Sequence, residues 1–185
     1  MLASVGLEPG WRVLDAASGS GSFLPLIAEG VGASGSVSAF DLAPDNVAIV
    51  GERIARGEFS CPVDVRVASF LELPYEDGAF DAVWCANSLE YLDDEALPRA
   101  LGEFVRVLRP GGMLAVKDAD AGLWLFSPGD PTLLWRAWEA ASRIAGNFRG
   151  CLRTRSMRRW FERAGLTETW QRATLSEIWA PLEPA

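Results

Sequence analysis

The 185-residue chain contains no histidine, and this absence excludes more chemistry than any other feature of its composition. Without imidazole there is no Ser-His or Cys-His nucleophile pair and no histidine general base. Cysteine is sparse as well: Cys61, Cys85 and Cys151 lie far apart, with no C-x-x-C pair. No metal site is therefore expected. Dispersed thiols fit a reducing cytosol, so a cytoplasmic location is expected. No run approaches ~18 apolar residues, so no membrane span is expected. The N-terminus also lacks the basic-then-apolar pattern of a secretory leader.

Positive charge is scarce overall. The net charge is −8, an unfavourable balance for binding nucleic acid, where neutralised phosphates supply most of the affinity; no nucleic-acid partner is expected. Lysine occurs once, as Lys117, among seventeen basic residues. With abundant alanine and glycine, that arginine bias points to a GC-rich bacterial genome.

What is present is globular. Hydrophobic residues make up 49% and charged residues 23%, and the length suffices for one domain, 1–185, with a full core. Short β-rich runs alternate with helical ones, the pattern of a parallel sheet built from βαβ units. Strands are expected at 11–15, 36–42, 63–67, 80–86 and 113–117. Helices are expected at 23–29, at 45–56 ending on Gly57, and from a cap at Asp93 or Asp94 to Leu108. Arg109-Pro110-Gly111-Gly112 is expected to turn the chain after that last helix. Beyond Lys117 the order changes. Residues 119–130 read as loop, Asp130-Pro131 starts a helix to about Ala145, a second helix covers 156–164, and 166–174 has the alternation of a sixth strand.

In an open parallel sheet, ligands bind at the carboxyl ends of the strands near the switch point. Four features fall there: Asp15 with the loop Ala16-Ala17-Ser18-Gly19-Ser20-Gly21; Asp41-Leu42; Ser69-Phe70; and Asn87-Ser88. Glycines let a backbone approach a ligand closely, and a carboxylate ending a second strand can accept both ribose hydroxyls of an adenosine. Asp41 falls twenty residues after Gly21, the span of one helix and one strand. Taken singly, each feature has an ordinary alternative: a turn, a helix cap, a core aromatic.

Together the motifs resemble those of class I S-adenosylmethionine-dependent methyltransferases that act on small molecules. Val13-Leu14-Asp15-x-x-x-Gly19-x-Gly21 resembles their first motif. Residues 73–83, Leu-Pro-Tyr-Glu-Asp-Gly-Ala-Phe-Asp-Ala-Val, resemble the approach to their fourth strand. Residues 108–114, Leu-Arg-Pro-Gly-Gly-Met-Leu, resemble the turn before their fifth. The resemblance implies an α/β, Rossmann-like, doubly wound and mostly parallel sheet, with S-adenosylmethionine as methyl donor and a small-molecule acceptor. It implies that Asp15, Ala16, Ala17, Ser18, Gly19 and Gly21 surround the methionine part of the cofactor. Asp41 would hold the ribose, Leu42 pack on adenine, Ser69 and Phe70 meet the adenine ring, and Asn87 and Ser88 lie near the amino group and the transferred methyl. On this division 11–118 form the cofactor core, 119–165 helices covering the substrate, and 166–185 an incomplete carboxyl-terminal segment. The family's final antiparallel strand is not found before Ala185, so the sheet is expected to lack it and to expose an edge for self-association.

Two positions depart from the family pattern: Ala17 stands where glycine is common, and Ser69 where aspartate is common. A positive φ at Ala17 would be strained. A sulfonium methyl is already activated, so catalysis by positioning tolerates the missing histidine. Glu90, Tyr91 and Asp118 are the weak candidates for a base, and for each the simpler reading is a loop or turn residue. Trp124, Trp135, Trp138 and Phe148 could wall an apolar acceptor, or Trp135 and Trp138 could be core residues on one helix face. Arg149, Arg153, Arg155, Arg158, Arg159 and Arg163 form a basic run that reads as an anion site or a solvated face. Two other functions share parts of the pattern. A nicotinamide-dependent oxidoreductase also uses a strand-end acid, but Gly19-x-Gly21-x-x-Leu24 lacks the third small residue. A non-catalytic methyltransferase-fold module fits the two departures.

Overall fold

In a computed structural model, which describes residues 5–123, 130–144 and 147–174, strands and helices alternate from Arg12 to Lys117. The strands are β1 (Arg12–Ala16), β2 (Ser36–Asp41), β3 (Val63–Val67), β4 (Phe80–Ala86) and β5 (Leu108–Lys117). Helices α1 (Leu24–Val31), α2 (Pro44–Ala55) and α3 (Ala96–Val107) connect them. After β5 come α4 (Pro131–Ile144), α5 (Phe148–Arg153) and α6 (Met157–Arg163).

All four pairings in the sheet are parallel, in the order β3-β2-β1-β4-β5. The chain winds outward from β1 to β3, then returns to lay β4 on the other side of β1. That reversal makes the β1/β4 boundary the switch point, where the strand ends splay and leave room for a ligand. Successive strand residues face opposite sides. Val13, Val37, Ala39, Ala82 and Trp84 meet Leu24, Ile27 and Val50 of α1 and α2 on one face. Leu14, Phe40, Val83 and Cys85 meet Leu97, Leu101 and Phe104 of α3, with Met157 of α6, on the other. Burial on both faces explains why β4 reads as a nearly unbroken apolar run.

Three features differ from the sequence expectation. Arg109-Pro110-Gly111-Gly112 does not separate α3 from β5; it bulges out within β5. Leu108 pairs with Phe80, and the register then jumps so that Met113 pairs with Ala82. The bulge is held by Asp81, whose carboxylate accepts from Arg109 Nε at 2.6 Å and from the Arg12 amide at 2.7 Å. Gly111 has φ +73°, a left-handed conformation that glycine adopts without strain.

Helix α5 was not expected at all, because its six residues are too few to show a helical period. Residues 166–174 form no strand. Glycine at 165 with φ +89° and Glu168 with φ +53° break the extended path. The polar side chains turn back instead: Thr169 Oγ1 donates to Glu162 and Gln171 Nε2 to the Thr154 carbonyl. Among the described residues β5 is therefore an edge, and the sheet contains no antiparallel strand. No helix in the described residues is long and apolar enough to cross a membrane.

Candidate functional site

Seven of the residues singled out in the sequence line one cleft of about 310 Å³ at the switch point: Asp15, Ala17, Ser18, Gly19, Asp41, Asn87 and Ser88. Ser20, Ser22, Phe23 and Ala86 complete the wall. Ser20 lies inside the glycine loop, and Ser22 follows it. Phe23 was not readable from the sequence as part of the wall; its ring packs edge-on against Trp84, 5.2 Å between centroids, and seats the start of α1 on the sheet.

The loop after β1 is fixed by bonds to β2 and α2. The Ser18 amide donates to the Phe40 carbonyl at 2.9 Å, and the Gly19 amide to Asp41 Oδ2 at 2.8 Å. Arg53 of α2 donates through Nη1 to the carbonyls of Ser20 and Gly21, while its Nε is held by Glu58 at 2.7 Å. Gly21 is where this packing demands glycine: at φ +78°, an added Cβ would stand 2.7 Å from Leu24 Cδ1 and 3.0 Å from Arg53 Nη1. The sequence offered no sign of Arg53, which reads as one of the polar residues of an amphipathic helix.

Ala17 has φ +55°, so the conformation glycine would take freely is imposed on a side chain that resists it. Asn87, on the opposite wall, has φ +53°. Asparagine tolerates that region better, and the turn is clamped to the end of β5. The Asn87 amide donates to the Lys117 carbonyl, Lys117 Nζ to Asn87 Oδ1, and the Ser88 amide to Asp118 Oδ1 at 3.1 Å. Both walls of the cleft thus carry a left-handed residue that is not glycine, and such strain tends to collect at functional sites.

The two carboxyls of the cleft differ in environment. Asp41 accepts from Gly19 N, from Ala43 N at 2.9 Å and from Asn46 Nδ2 at 3.1 Å. Asp15 is 2% exposed, and its Oδ2 is buried with no hydrogen-bond partner among the described residues. Burial first, and the Asp41 charge second, push its pKa up to about 7. Ser18 Oγ is likewise buried without a partner.

The remaining candidates lie outside the cleft wall. Ala16 is fully buried and belongs to the core. Leu42 is 72% exposed beside Asp41, an apolar side chain left in water at the end of β2. Ser69 Oγ accepts from the Leu71 amide in a local turn. Phe70 is half-buried, its ring edge-on to Phe40 and Phe104 at 5.5 and 5.8 Å between centroids.

Of the three candidate bases, Glu90 is taken up in structure. It is 7% exposed and accepts from Asn147 Nδ2 at 3.1 Å and from the Cys151 thiol at 3.3 Å. Burial and that carboxylate raise the Cys151 thiol to about 12. Tyr91 is 68% exposed. Asp118 keeps one oxygen, Oδ2, buried without a described partner. Burial, and then the nearby Glu90, push its pKa up to about 7.

The end of α5 and the turn after it are pinned to this end of the sheet. Arg153 donates to the carbonyls of Leu89 and Leu92 and to Asp94, and Arg155 to Asp120. Arg158 pairs with Glu162 within α6, and Arg163 stacks on Trp160. The basic run therefore serves mainly as anchors and solvated helix face. Trp138 packs on Phe148, Cys151 and Ala121, whereas Trp135 is exposed. Trp124 lies outside the described residues. Among those residues no group of three or more Cys, Asp and Glu is placed to hold a metal ion.

Comparison with known proteins decides the family. Residues 13–112, more than half the chain, match the family described as methyltransferase domain. The chain belongs to the class I S-adenosylmethionine-dependent methyltransferases. This domain is 34% identical over 111 residues to a 2-phytyl-1,4-naphtoquinone methyltransferase of Synechococcus elongatus, covering 60% of the chain and 47% of that protein. It is 33% identical over 135 residues to a ubiquinone/menaquinone biosynthesis C-methyltransferase of Rhizobium leguminosarum, covering 73% of the chain and 49% of that protein. The methyltransferase domain thus spans about half the length of these curated relatives. A SAM-dependent methyltransferase structure from Aquifex aeolicus superposes with TM-score 0.61 at 26% identity, covering 78% of this chain and 76% of that one.

S-adenosylmethionine is the cofactor of this family, and the cleft fits it. The glycine loop gives close backbone approach, Asp41 ends β2 within the same cleft, and an Asp15 oxygen and the Ser18 hydroxyl, buried without partners among the described residues, leave polar atoms there for a ligand.

Proposed function

We propose that the protein transfers a methyl group from S-adenosylmethionine to a small apolar or aromatic acceptor. One observation carries this most: a buried, unpartnered Asp15 and a strand-end Asp41 line the same cleft at the switch point. The donor supplies an activated methyl on a sulfonium. Asp41 would hold the ribose, with Leu42 and the Ser69 turn beside the adenine. Asp15, Ser18 and the amides of the glycine loop would hold the methionine part, and Asn87 and Ser88 the side toward the acceptor. Among the described residues the cleft wall includes two carboxyl groups and no basic side chain, which disfavours the pyrophosphate of a nicotinamide dinucleotide.

The chain's work is then orientation and exclusion of water, under a cover of α4, α5 and α6. Asp118 is the group best suited to take a proton from an acceptor that must lose one, since Glu90 is engaged and Tyr91 is exposed. The quinone-directed relatives favour a hydroquinone or similar phenol-like acceptor. Three free cysteines fit a reducing cytosol as the site of reaction. Pairing of two copies through β5 belongs to the same proposal, and sedimentation would measure it. Calorimetry with S-adenosylhomocysteine and with NADH tests the whole. Binding of the first alone supports the function; binding of NADH alone removes it. A methyl-transfer assay on naphthohydroquinones then tests the acceptor class.

A further inference from the structure

The arginines of 149–163 are not all anchors. Arg155, Arg158 and Arg159 stand at i, i+3 and i+4 along the turn Thr154–Ser156 and the start of α6, a spacing that brings them to one side. There they line a groove of about 400 Å³ with Ser156, Glu162 and Gln171. It shares no lining residue with the cofactor cleft. Gln171 makes it a groove rather than a bare helix face: its Nε2 donates to the Thr154 carbonyl at 3.1 Å and brings the chain after α6 back along the arginines.

Three like charges at this spacing repel one another. Inside the groove one carboxylate, Glu162, offsets them. It accepts from Arg158 Nε at 2.9 Å and from Thr169 Oγ1 at 3.1 Å. Those bonds, with the charges of Arg158 and Arg159, hold its carboxyl below the usual range. Arg155 is fixed from behind: Asp120, outside the groove wall, accepts from its Nε at 2.8 Å, and its guanidinium lies across Gly122, where an added Cβ would stand 1.8 Å from Nη2. Arg155 and Arg158 thus bond through Nε alone. Their Nη groups, and the whole Arg159 guanidinium, have no partner among the described residues. Guanidinium edges of this kind match phosphate oxygens two at a time. In a chain of net charge −8, a concave positive site stands against the field of the rest. One compact cluster, not a stripe, suits a single phosphate better than a polymer.

We propose that this groove is a second ligand site, taking a small soluble phosphomonoester whose phosphate lies between Arg155, Arg158 and Arg159. The site stands apart from the cofactor cleft and does not depend on the methyl-donor function. It is tied to the end of β5 through Thr154 Oγ1, which donates to the Ala119 carbonyl at 3.1 Å.

Calorimetry of the intact protein with glycerol 3-phosphate tests this. One site per chain is expected, with no binding of glycerol. Arg159→Gln is expected to weaken the affinity by roughly tenfold or more, the worth of one charge-assisted bond. Arg159 has no partner among the described residues, so the ligand-free melting temperature of this variant is expected to match the parent. Arg149→Gln removes the same charge from an exposed position outside the groove and is expected to change the affinity by less than about twofold. Saturating S-adenosylhomocysteine is expected not to compete. Absence of glycerol 3-phosphate binding overturns the proposal, as does binding that survives Arg159→Gln. Equal loss in both variants overturns it in favour of a diffuse, solvated positive face. Displacement by S-adenosylhomocysteine overturns it by moving the phosphate to the glycine loop. Tighter binding of single-stranded RNA or of anionic vesicles through Arg159 overturns the assignment to a small molecule.

Discussion

The Gly19 amide donates to Asp41 Oδ2 at 2.8 Å, so the acid expected to receive a ribose also holds the glycine loop in place. Asp41→Ala is therefore expected to act twice. It removes charge-assisted bonds to the ligand, each worth about 1.5–3 kcal/mol, and so weakens S-adenosylhomocysteine binding by a hundredfold or more. It also loosens the loop and costs about 1–2 kcal/mol of stability. Calorimetry and thermal melts of the same variant separate the two losses; a stability loss with unchanged affinity would restrict Asp41 to a structural part.

Ala17 holds φ +55°. A left-handed conformation costs an L-residue about 1–2 kcal/mol, partly offset by the smaller unfolded-state entropy of alanine relative to glycine. Ala17→Gly is expected to gain about 0.5–1 kcal/mol and to raise the melting temperature by about 1–4 °C, with cofactor affinity kept or improved. A melting temperature that falls would mean the methyl group makes contacts worth more than the strain.

Asp15 and Asp118 are both raised to about 7, against 3.8 for the unperturbed acid. The folded protein thus holds two protons that the unfolded chain gives up near pH 4. Their contribution to stability is complete below that pH and is lost as pH rises through 7. Without ligand, the melting temperature is expected to fall by several degrees between pH 5 and 8. Asp15→Asn and Asp118→Asn should each flatten part of that decline, and calorimetric melts across the range measure it.

At Gly150 an added Cβ would lie 1.8 Å from the Glu90 carbonyl oxygen. Backbone cannot yield there as a side-chain tip can, so Gly150→Ala is expected to cost about 3 kcal/mol or more and to lift α5 from the sheet. Limited proteolysis should then cut within 147–156 while 12–117 resists. Equal resistance of both segments would show that α5 shifts without detaching.

The sequence disclosed β3 and β4 to the residue, because apolar alternation and a buried run leave few other choices. It disclosed the cleft because glycines and strand-end acids fall at the spacing of one βα unit. It did not disclose α5, which is shorter than two helical turns and held by Arg153 and the Glu90–Asn147 contact. Nor did it reveal that the Phe70 ring packs edge-on against Phe40 and Phe104, since a strand-end aromatic shows no partner in the sequence. Residues 166–174 alternate as a strand would. Left-handed Glu168 and bonds back to Thr154 and Glu162 overrule that local pattern.

Arg53 grips the Ser20 and Gly21 carbonyls from the last turn of α2 and is itself braced by Glu58. The cofactor loop and that helix end are therefore one mechanical part. The loop cannot swing open alone: it must let go of Arg53, or carry the end of α2 with it. A substitution that frays the end of α2 is therefore expected to shorten the residence of a bound nucleoside even though that helix stands outside the cleft wall.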